Sequence, residues 1–437
     1  TTGGRLGGAP SRAGASGEDR RTRLTGPTPE MSTGEWFDSL AEVGWRPGLE
    51  RMRPLMEALD SPQERYRTVH VVGTNGKTST TLYGAALLDA AGIPAGSHTS
   101  PHLTDWTERI RVSGEPIGTA AWGSALERVR PAVDRVEAGL PEYGSLTQFE
   151  VATAATFLAL ADAGVEVAMI EAGMGGRLDS TNVIQSEATV LTSIGLDHTE
   201  WLGETELEIA GEKLAVLRPG TRLVVGPLKP GVKELAVRTA VERGCEVVEV
   251  GDPGPGPAVP LGRYARIDFA LALAAVEPLT GPIDEVTRLL ALDRAGVKGR
   301  LEVAGSDPPV IFDVAHNRDG IEAVVEALEE VIGARRLEVV FGCLSDRDPA
   351  ELLEPLVARS TTLFACQAPD LVGSRARSGL PAERVAAAAR ELGMEVEVYP
   401  VPVEALDAAS SAASSFGGAV LVCGSHGLVA SLSALQP

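Results

Sequence analysis

Gly73, Thr74, Asn75, Gly76, Lys77, Thr78 and Ser79 put two glycines, an amide, a lysine and a row of hydroxyls directly after the apolar run "VHVV". These are the ingredients of a phosphate cradle. Consecutive N–H groups at a helix start point at an anion, and the helix dipole adds positive potential. Lys77 would bring a full charge to β- and γ-phosphates, and Thr78 or Ser79 a hydroxyl to Mg²⁺. The common spacing G-x-x-x-x-G-K-[ST] wants glycine at position 71, where Val71 stands. The stretch is therefore an ordinary strand–turn–helix junction with a surface lysine, or a shorter phosphate loop. Two more chemically able groups stand where apolar runs end, the place at which open α/β sheets collect ligands. Glu171 follows "VEVAMI" in the glycine-rich "EAGMGGRLDSTN", and Asp197-His198 follows "EATVLTSIG". The bland alternatives are a carboxylate on a polar loop and a structural histidine. The chemical alternative joins Glu171, His198, Thr78 and a further hydroxyl in the mixed O/N shell of a Mg²⁺ or Mn²⁺ site.

Positioning such groups takes a regular frame, and the hydrophobic pattern supplies one. "VHVVG" predicts a strand and "KTSTTLYGAALLDAAG" a helix closed by Gly92. "FEVATAATFLALADAG" predicts a helix, "VEVAMIEAG" and "EATVLTSIG" strands, "TELEIAGEKLAVL" a helix, and "TRLVVGP" a strand. The alternation predicts an α/β fold: a mostly parallel sheet with helices on both faces. A Pro/Gly-rich stretch, "GDPGPGPAVPLG", precedes the Ala/Leu helix "IDFALALAAVEPL". After "VKGR" the alternation restarts through "PVIFDVA", "RLEVVFG", "TTLFACQ", "EVEVYP" and "AVLVCG", with apolar-striped helices between them. This predicts a large N-terminal domain over residues 31–297 and a smaller C-terminal α/β domain over 298–437. Residues 1–30 carry almost nothing apolar and read as a disordered tail, with Met31 a plausible start of translation.

The bulk figures exclude other classes. The chain has 437 residues, 44% of them hydrophobic, and a formal net charge of −21. Such an acidic chain does not hold nucleic acid by phosphate neutralisation, nor an anionic membrane surface. Anionic substrates must be captured by a few local cations, backbone N–H groups or metal ions. Cys245, Cys343, Cys366 and Cys423 are widely spaced and mostly in apolar runs, as expected of buried reduced thiols in the cytoplasm. Neither a bilayer-spanning stretch nor a signal peptide is visible. A monomer is the default expectation.

The segments "HVVGTNGKTST", "TSPHLTDWTERIRVSGEPI", "EAGMGGRLDSTNVI", "TSIGLDHTEWLG", "GRLEV…PVIFDVAHN" and "VLVCGSHGLVA" resemble, in order and spacing, bacterial folylpolyglutamate synthase/dihydrofolate synthase, a Mur-ligase-like family. The resemblance runs from about Leu49 to the C-terminus. In that family the phosphate loop is the short form, so Val71 is no obstacle. The resemblance implies an ATP- and Mg²⁺-dependent ligase, with K⁺ a further candidate. It would phosphorylate a carboxylate and let the amine of L-glutamate attack the acyl phosphate, with dihydropteroate or the glutamate tail of a folate as acceptor. Another carboxylic acid is the alternative acceptor. It implies that Gly73–Ser79 cradle the nucleotide and that Thr78, Ser100, Glu171 and His198 hold metal. Lys77, Lys213 and His316 would be catalytic. Lys213 resembles a lysine that is often carbamylated, although "LAVL" departs from the family motif. Arg300 and Asp313 would be the second domain's contribution to ATP. Asp268 stands where the family usually has a nucleotide-contacting asparagine; an acid accepts hydrogen bonds but cannot donate as an amide does. The acceptor would meet Glu50, Arg51, Gln148, Phe149, Glu150, Arg177 and Asp179, with "TSPHLTDWTERIRVSGEPI" a mobile flap over it.

Overall fold

A computed structural model describes residues 31–44, 46–260, 262–370 and 377–435. The tail expected over 1–30 lies outside the described residues. Residues 33–437 form one compact unit built on two sheets. The first sheet contains β1 (Arg67–Val72), β2 (Ala95–His98), β3 (Ile110–Val112), β4 (Glu115–Pro116), β5 (Val167–Glu171), β6 (Ala188–Leu191), β7 (Arg222–Val225) and β8 (Glu246–Glu249). Its order is β4-β3-β2-β5-β1-β6-β7-β8, parallel from β2 to β8, with the β3 and β4 edge antiparallel. The second sheet contains β9 (Glu302–Ala304), β10 (Val310–Phe312), β11 (Leu337–Phe341), β12 (Ser360–Ala365), β13 (Val396–Val398) and β14 (Ala419–Cys423). Its order is β13-β12-β11-β14-β10-β9, parallel but for β9.

The central strands β1, β5, β11 and β14 are buried along nearly their whole length, as parallel strands with both faces covered must be. On the first sheet, Val69, Val71, Met169 and Val190 pack beneath the Lys77–Ala90 and Arg263–Thr280 helices. Ile110, Ala168 and Ile170 pack on the opposite face beneath the Thr119–Gly139 and Gln148–Asp162 helices. The second sheet is likewise covered on both faces. The Thr119–Gly139 helix is absent from the sequence expectations: it opens without a capping side chain and carries Pro131 inside. The expected flap is also more structured than a loop. Its residues form a Trp106–Arg109 turn, β3 and β4, and pair into the sheet edge. No helix among the described residues is long and apolar enough to cross a membrane.

Candidate functional site

The carboxyl ends of β1, β5 and β6, the helix starts after β1 and β6 and the glycine-rich turn after β5 open onto a cleft of about 580 Å³, whose other wall comes from the second sheet. The phosphate loop fixes its floor. Gly76 caps the Lys77–Ala90 helix with φ +86°, and a Cβ there would lie 2.3 Å from Asp268 Oδ1. A Cβ on Gly73 would lie 1.9 Å from Thr192 Oγ1. Only glycine fits both places. The loop is clamped from β6: Thr74 N–H donates to Ser193 O at 2.8 Å, Asn75 N–H to Ser193 Oγ at 2.9 Å, and Thr192 Oγ1 to Asn75 O at 2.6 Å. A third clamp is Lys213, from the Glu206–Leu214 helix. It is 4% exposed rather than solvated, and its Nζ donates to Gly73 O at 2.7 Å. Burial, then the charge of Lys77, pulls its pKa to about 7, against the opposing pull of Asp197 and Asp179.

Lys77 Nζ donates to Thr74 O at 3.0 Å. Beside it Glu171 accepts from Thr78 Oγ1 at 3.1 Å and from Ser100 N–H at 3.2 Å. Burial raises the Glu171 pKa to about 7, although Lys77, the Ser100 N–H and Thr78 all favour its ionised form. His198 has φ +52° at the head of the Thr199–Leu202 turn and lines the same cleft, its Nε2 3.9 Å from Asp197 Oδ2. Thr78, Ser100 and Glu171 are thus joined by hydrogen bonds, and His198 lines the same cleft. Among the described residues no group of three His, Cys, Asp or Glu forms a cage. This donor set fits a hard cation that completes its shell with phosphate oxygens and water.

From the other wall, Arg300 reaches the cleft with Nη1 donating to Gly299 O at 2.9 Å. Asp313 is 2% exposed and has its oxygens occupied: Oδ2 accepts from Tyr264 Oη at 2.5 Å and Leu301 N–H at 2.9 Å, Oδ1 from Ala315 N–H at 2.9 Å. His316 Nδ1 lies 3.0 Å from Val314 O, which makes Nδ1 the protonated nitrogen and turns Nε2 towards Asp197 at 3.8 Å. Burial lowers its pKa, Asp197 opposing. Asp268 lies under the phosphate loop and is 5% exposed. Its carboxyl pKa is driven up by burial, with Arg300 and the neighbouring Ser79 hydroxyl pulling the other way.

The seven residues expected to meet an acceptor do not line this cleft. Arg51 and Glu150 are 5% and 1% exposed and hold each other, with Arg51 Nε 3.1 Å from Glu150 Oε1. Arg51 also serves the carbonyls of Arg46 and Tyr143, and Glu150 closes a capping box with Thr147. Gln148 donates to Phe37 O. Asp179 accepts from the N–H groups of Met174 and Thr181. Arg177 pairs with Glu212 at the surface, and Glu50 is exposed. Phe149 is half-buried under Gly173, where a Cβ would meet its Cζ at 2.5 Å; Gly173 itself lines the cleft.

Asn317, Arg347 and His426 stand at the cleft and were not singled out from the sequence. Asn75 and Asn317 exchange amide hydrogen bonds at 3.0 Å from opposite walls. Arg347 Nη1 meets Asp197 Oδ1 at 2.7 Å. His426 stands 4.9 Å from His316, ring to ring. Asn317 and His426 sit inside "DVAHN" and "GSHGLVA", so the signal was present; Arg347 lies in "SDRD", which has no motif character.

Residues 71–221 match the Mur ligase middle domain, and residues 299–426 match the Mur ligase glutamate ligase domain. The dihydrofolate synthase/folylpolyglutamate synthase of Bacillus subtilis is 33% identical over 351 residues, covering 74% of this chain and 81% of that one. The solved Mycobacterium tuberculosis folylpolyglutamate synthase complexed with ADP superposes with a TM-score of 0.84 at 30% identity, covering 92% and 98% of the two chains. A bifunctional folylpolyglutamate synthase/dihydrofolate synthase from Yersinia pestis, complexed with AMPPNP and Mn ion, gives 0.78 at 30% identity over 94% and 99%.

Proposed function

Because the chain belongs to the folylpolyglutamate synthase/dihydrofolate synthase family of Mur-ligase-like enzymes, we propose that its cleft joins L-glutamate to dihydropteroate, and to the glutamate tail of folates as a second activity. The observation that carries this reading is the placing of Lys77 and Arg300. They face one cleft from opposite walls, each tethered by a backbone carbonyl and, among the described residues, ion-paired with no carboxylate. Cations so placed answer charge that develops on a phosphoryl group in transfer.

ATP and Mg²⁺, when bound, supply the phosphoryl group and a divalent charge. The chain's own residues do the positioning. The N–H groups of Gly76–Ser79, at the start of the Lys77–Ala90 helix, and the helix dipole hold the phosphates, while those of Thr74 and Asn75 are spent on fixing the loop to Ser193. Thr78, Ser100, Glu171 and His198 present oxygen and nitrogen ligands to the ion. Neutral His316, its Nδ1 proton committed to Val314 O, turns Nε2 into the cleft, where it can orient the acyl phosphate or take a proton from the glutamate ammonium. Lys213, with a pKa near 7, holds a neutral fraction of the kind that adds CO₂, and intact mass in bicarbonate tests its carbamylation.

The test of the function is product mass. Purified protein, ATP, Mg²⁺ and glutamate are given dihydropteroate, folates and unrelated aromatic acids. A dihydropteroate adduct of one glutamate is expected, with ADP and phosphate. Phosphate release only with an unrelated acid would refute the acceptor while leaving the ligase. Exchanging K⁺ for Na⁺ in the same assay checks the monovalent ion.

A further inference from the structure

Arg109 closes the Trp106–Arg109 turn, and its backbone carbonyl accepts from Thr99 N–H at 2.8 Å, at the start of β3. Its guanidinium carbon stands 4.0 Å from the Trp106 ring centroid. Nε donates to His102 Nδ1 at 2.9 Å, and Nη1 to Ser100 Oγ at 3.4 Å. Trp106 is itself fixed, edge-on to Phe37 at 5.0 Å and parallel to Trp122 at 6.3 Å. Glu108 ties the intervening loop by accepting from the N–H groups of Leu103, Thr104 and Asp105. Among the described residues no carboxylate pairs directly with Arg109; the negative groups it feels are Glu171 and Glu108. Its fork is thus spent on the residues that shape the turn after Ser100, and the next hydrogen bond along, Ser100 N–H to Glu171 Oε2, reaches the cleft wall.

We propose that Arg109 is a positioning residue: it holds Ser100 and the turn that follows against Glu171, so that the ion-binding groups stand in place before nucleotide arrives. This rests on Ser100 and Glu171 being ion ligands. A point charge would not do the same work. The planar fork meets a ring nitrogen and a hydroxyl while lying over an indole, which a lysine cannot do at once. A purely electrostatic role has the opposite sign, since a cation beside a metal site repels the metal.

The experiment uses the full chain and follows Mn²⁺ binding in the presence of ADP by titration calorimetry. Arg109→Ala is expected to weaken Mn²⁺ by about 10–100-fold, the usual cost of losing a group that orients a ligand, with ADP affinity in the absence of metal unchanged. Arg109→Lys should weaken it in the same direction although the charge is kept. It also serves as the decisive variant should Arg109→Ala not fold. Unchanged or tighter Mn²⁺ binding in a folded Arg109→Lys protein overturns the proposal. Glu171→Gln separates the two levels. If it weakens Mn²⁺ while the Arg109 variants do not, the positioning role fails and the ion site stands. If Glu171→Gln also binds Mn²⁺ normally, the ion site fails, and the proposal with it.

Discussion

Asp268→Asn should make this protein more stable at neutral pH, not less. The carboxyl lies under the phosphate loop, its Oδ1 where a Gly76 side chain would begin, and its Oδ2 is buried without a hydrogen-bond partner. The Ser79 hydroxyl lies beside it without meeting good hydrogen-bond geometry. Burial drives its pKa well above that of a free aspartate, more than Arg300 and Ser79 pull it back. The sign follows. Above about pH 4 the unfolded chain has lost this proton and the folded chain keeps it, so folding takes up a proton and stability falls as pH rises, by about 1.4 kcal/mol per unit, until the folded group ionises. An amide has nothing to lose. Relief of one poorly satisfied buried polar group is worth about 1–3 kcal/mol. At about 2–4 °C per kcal/mol for a domain of this size, the melting temperature should rise by several degrees at pH 7–8 and by little near pH 4. The assay is thermal unfolding of both proteins from pH 4 to 8, with the ATP KM measured beside it. The regained donor should lower that KM if this position faces the nucleotide. A variant whose melting temperature follows the wild-type curve across the whole range would show that Asp268 is not held protonated, and the reasoning would fail.

Three other perturbations separate roles that the geometry assigns. Lys77→Ala should reduce turnover by about 10²–10³-fold, as for other groups aimed at developing charge, with the melting temperature kept because the ammonium leans only on Thr74 O; activity within a few-fold of wild type removes it from the site. Glu171 must give up its proton to take a metal, so Mg²⁺ affinity should weaken as pH falls below its pKa of about 7, by up to about tenfold per unit, and Glu171→Gln should flatten that dependence. Equal pH slopes in the two proteins would rule Glu171 out as a ligand. Arg51→Ala should cost about 3–5 kcal/mol of stability by leaving buried Glu150 uncompensated. A variant that melts normally and shows only a raised acceptor KM would instead return Arg51 to the acceptor site.

The frame of the protein was legible because parallel strands buried on both faces leave long apolar runs: β5, β6, β7, β10, β11, β13 and β14 fall inside the runs read from sequence, while β1 and β12 overlap theirs and begin earlier, at Arg67 and Ser360. Elements whose order depends on partners were not. β3 and β4 exist because β2 offers them an edge, and β9 because it folds back on β10. The phosphate loop was legible in residue types, and so were Glu171 and His198 at strand ends. What residue types could not tell is how a polar group spends its hydrogen bonds. Lys213 was singled out only by resemblance, and no pattern in its residues announces that it is buried against Gly73 O. Arg51, Glu150 and Asp179, which the resemblance implies as acceptor contacts, make their hydrogen bonds within the protein.

That spending of hydrogen bonds resolves how a chain of net charge −21 can offer a home to a polyanion. Among the described residues, seven lysines and arginines line the cleft. Lys229, Arg263, Arg347 and Arg377 are paired with Glu206, Glu326, Asp197 and Asp346, so their charges are already answered. Among the described residues, Lys77, Lys213 and Arg300 instead lean on the carbonyls of Thr74, Gly73 and Gly299. A carbonyl holds a cation in place without cancelling its charge, and burial has already brought Lys213 to the edge of neutrality. Among the described residues, Lys77 and Arg300, one from each wall, are then the cleft cations that neither pair with a carboxylate nor approach neutrality, and they can meet on a common ligand only while the walls are together. Asn75–Asn317, Asp197–Arg347 and Tyr264–Asp313 are among the contacts that keep them so. What this acidic chain offers a phosphate-bearing ligand is thus two cations held by carbonyls on opposite walls of one cleft, close enough to Glu171, Asp268 and Asp313 to feel their charge but not ion-paired with them.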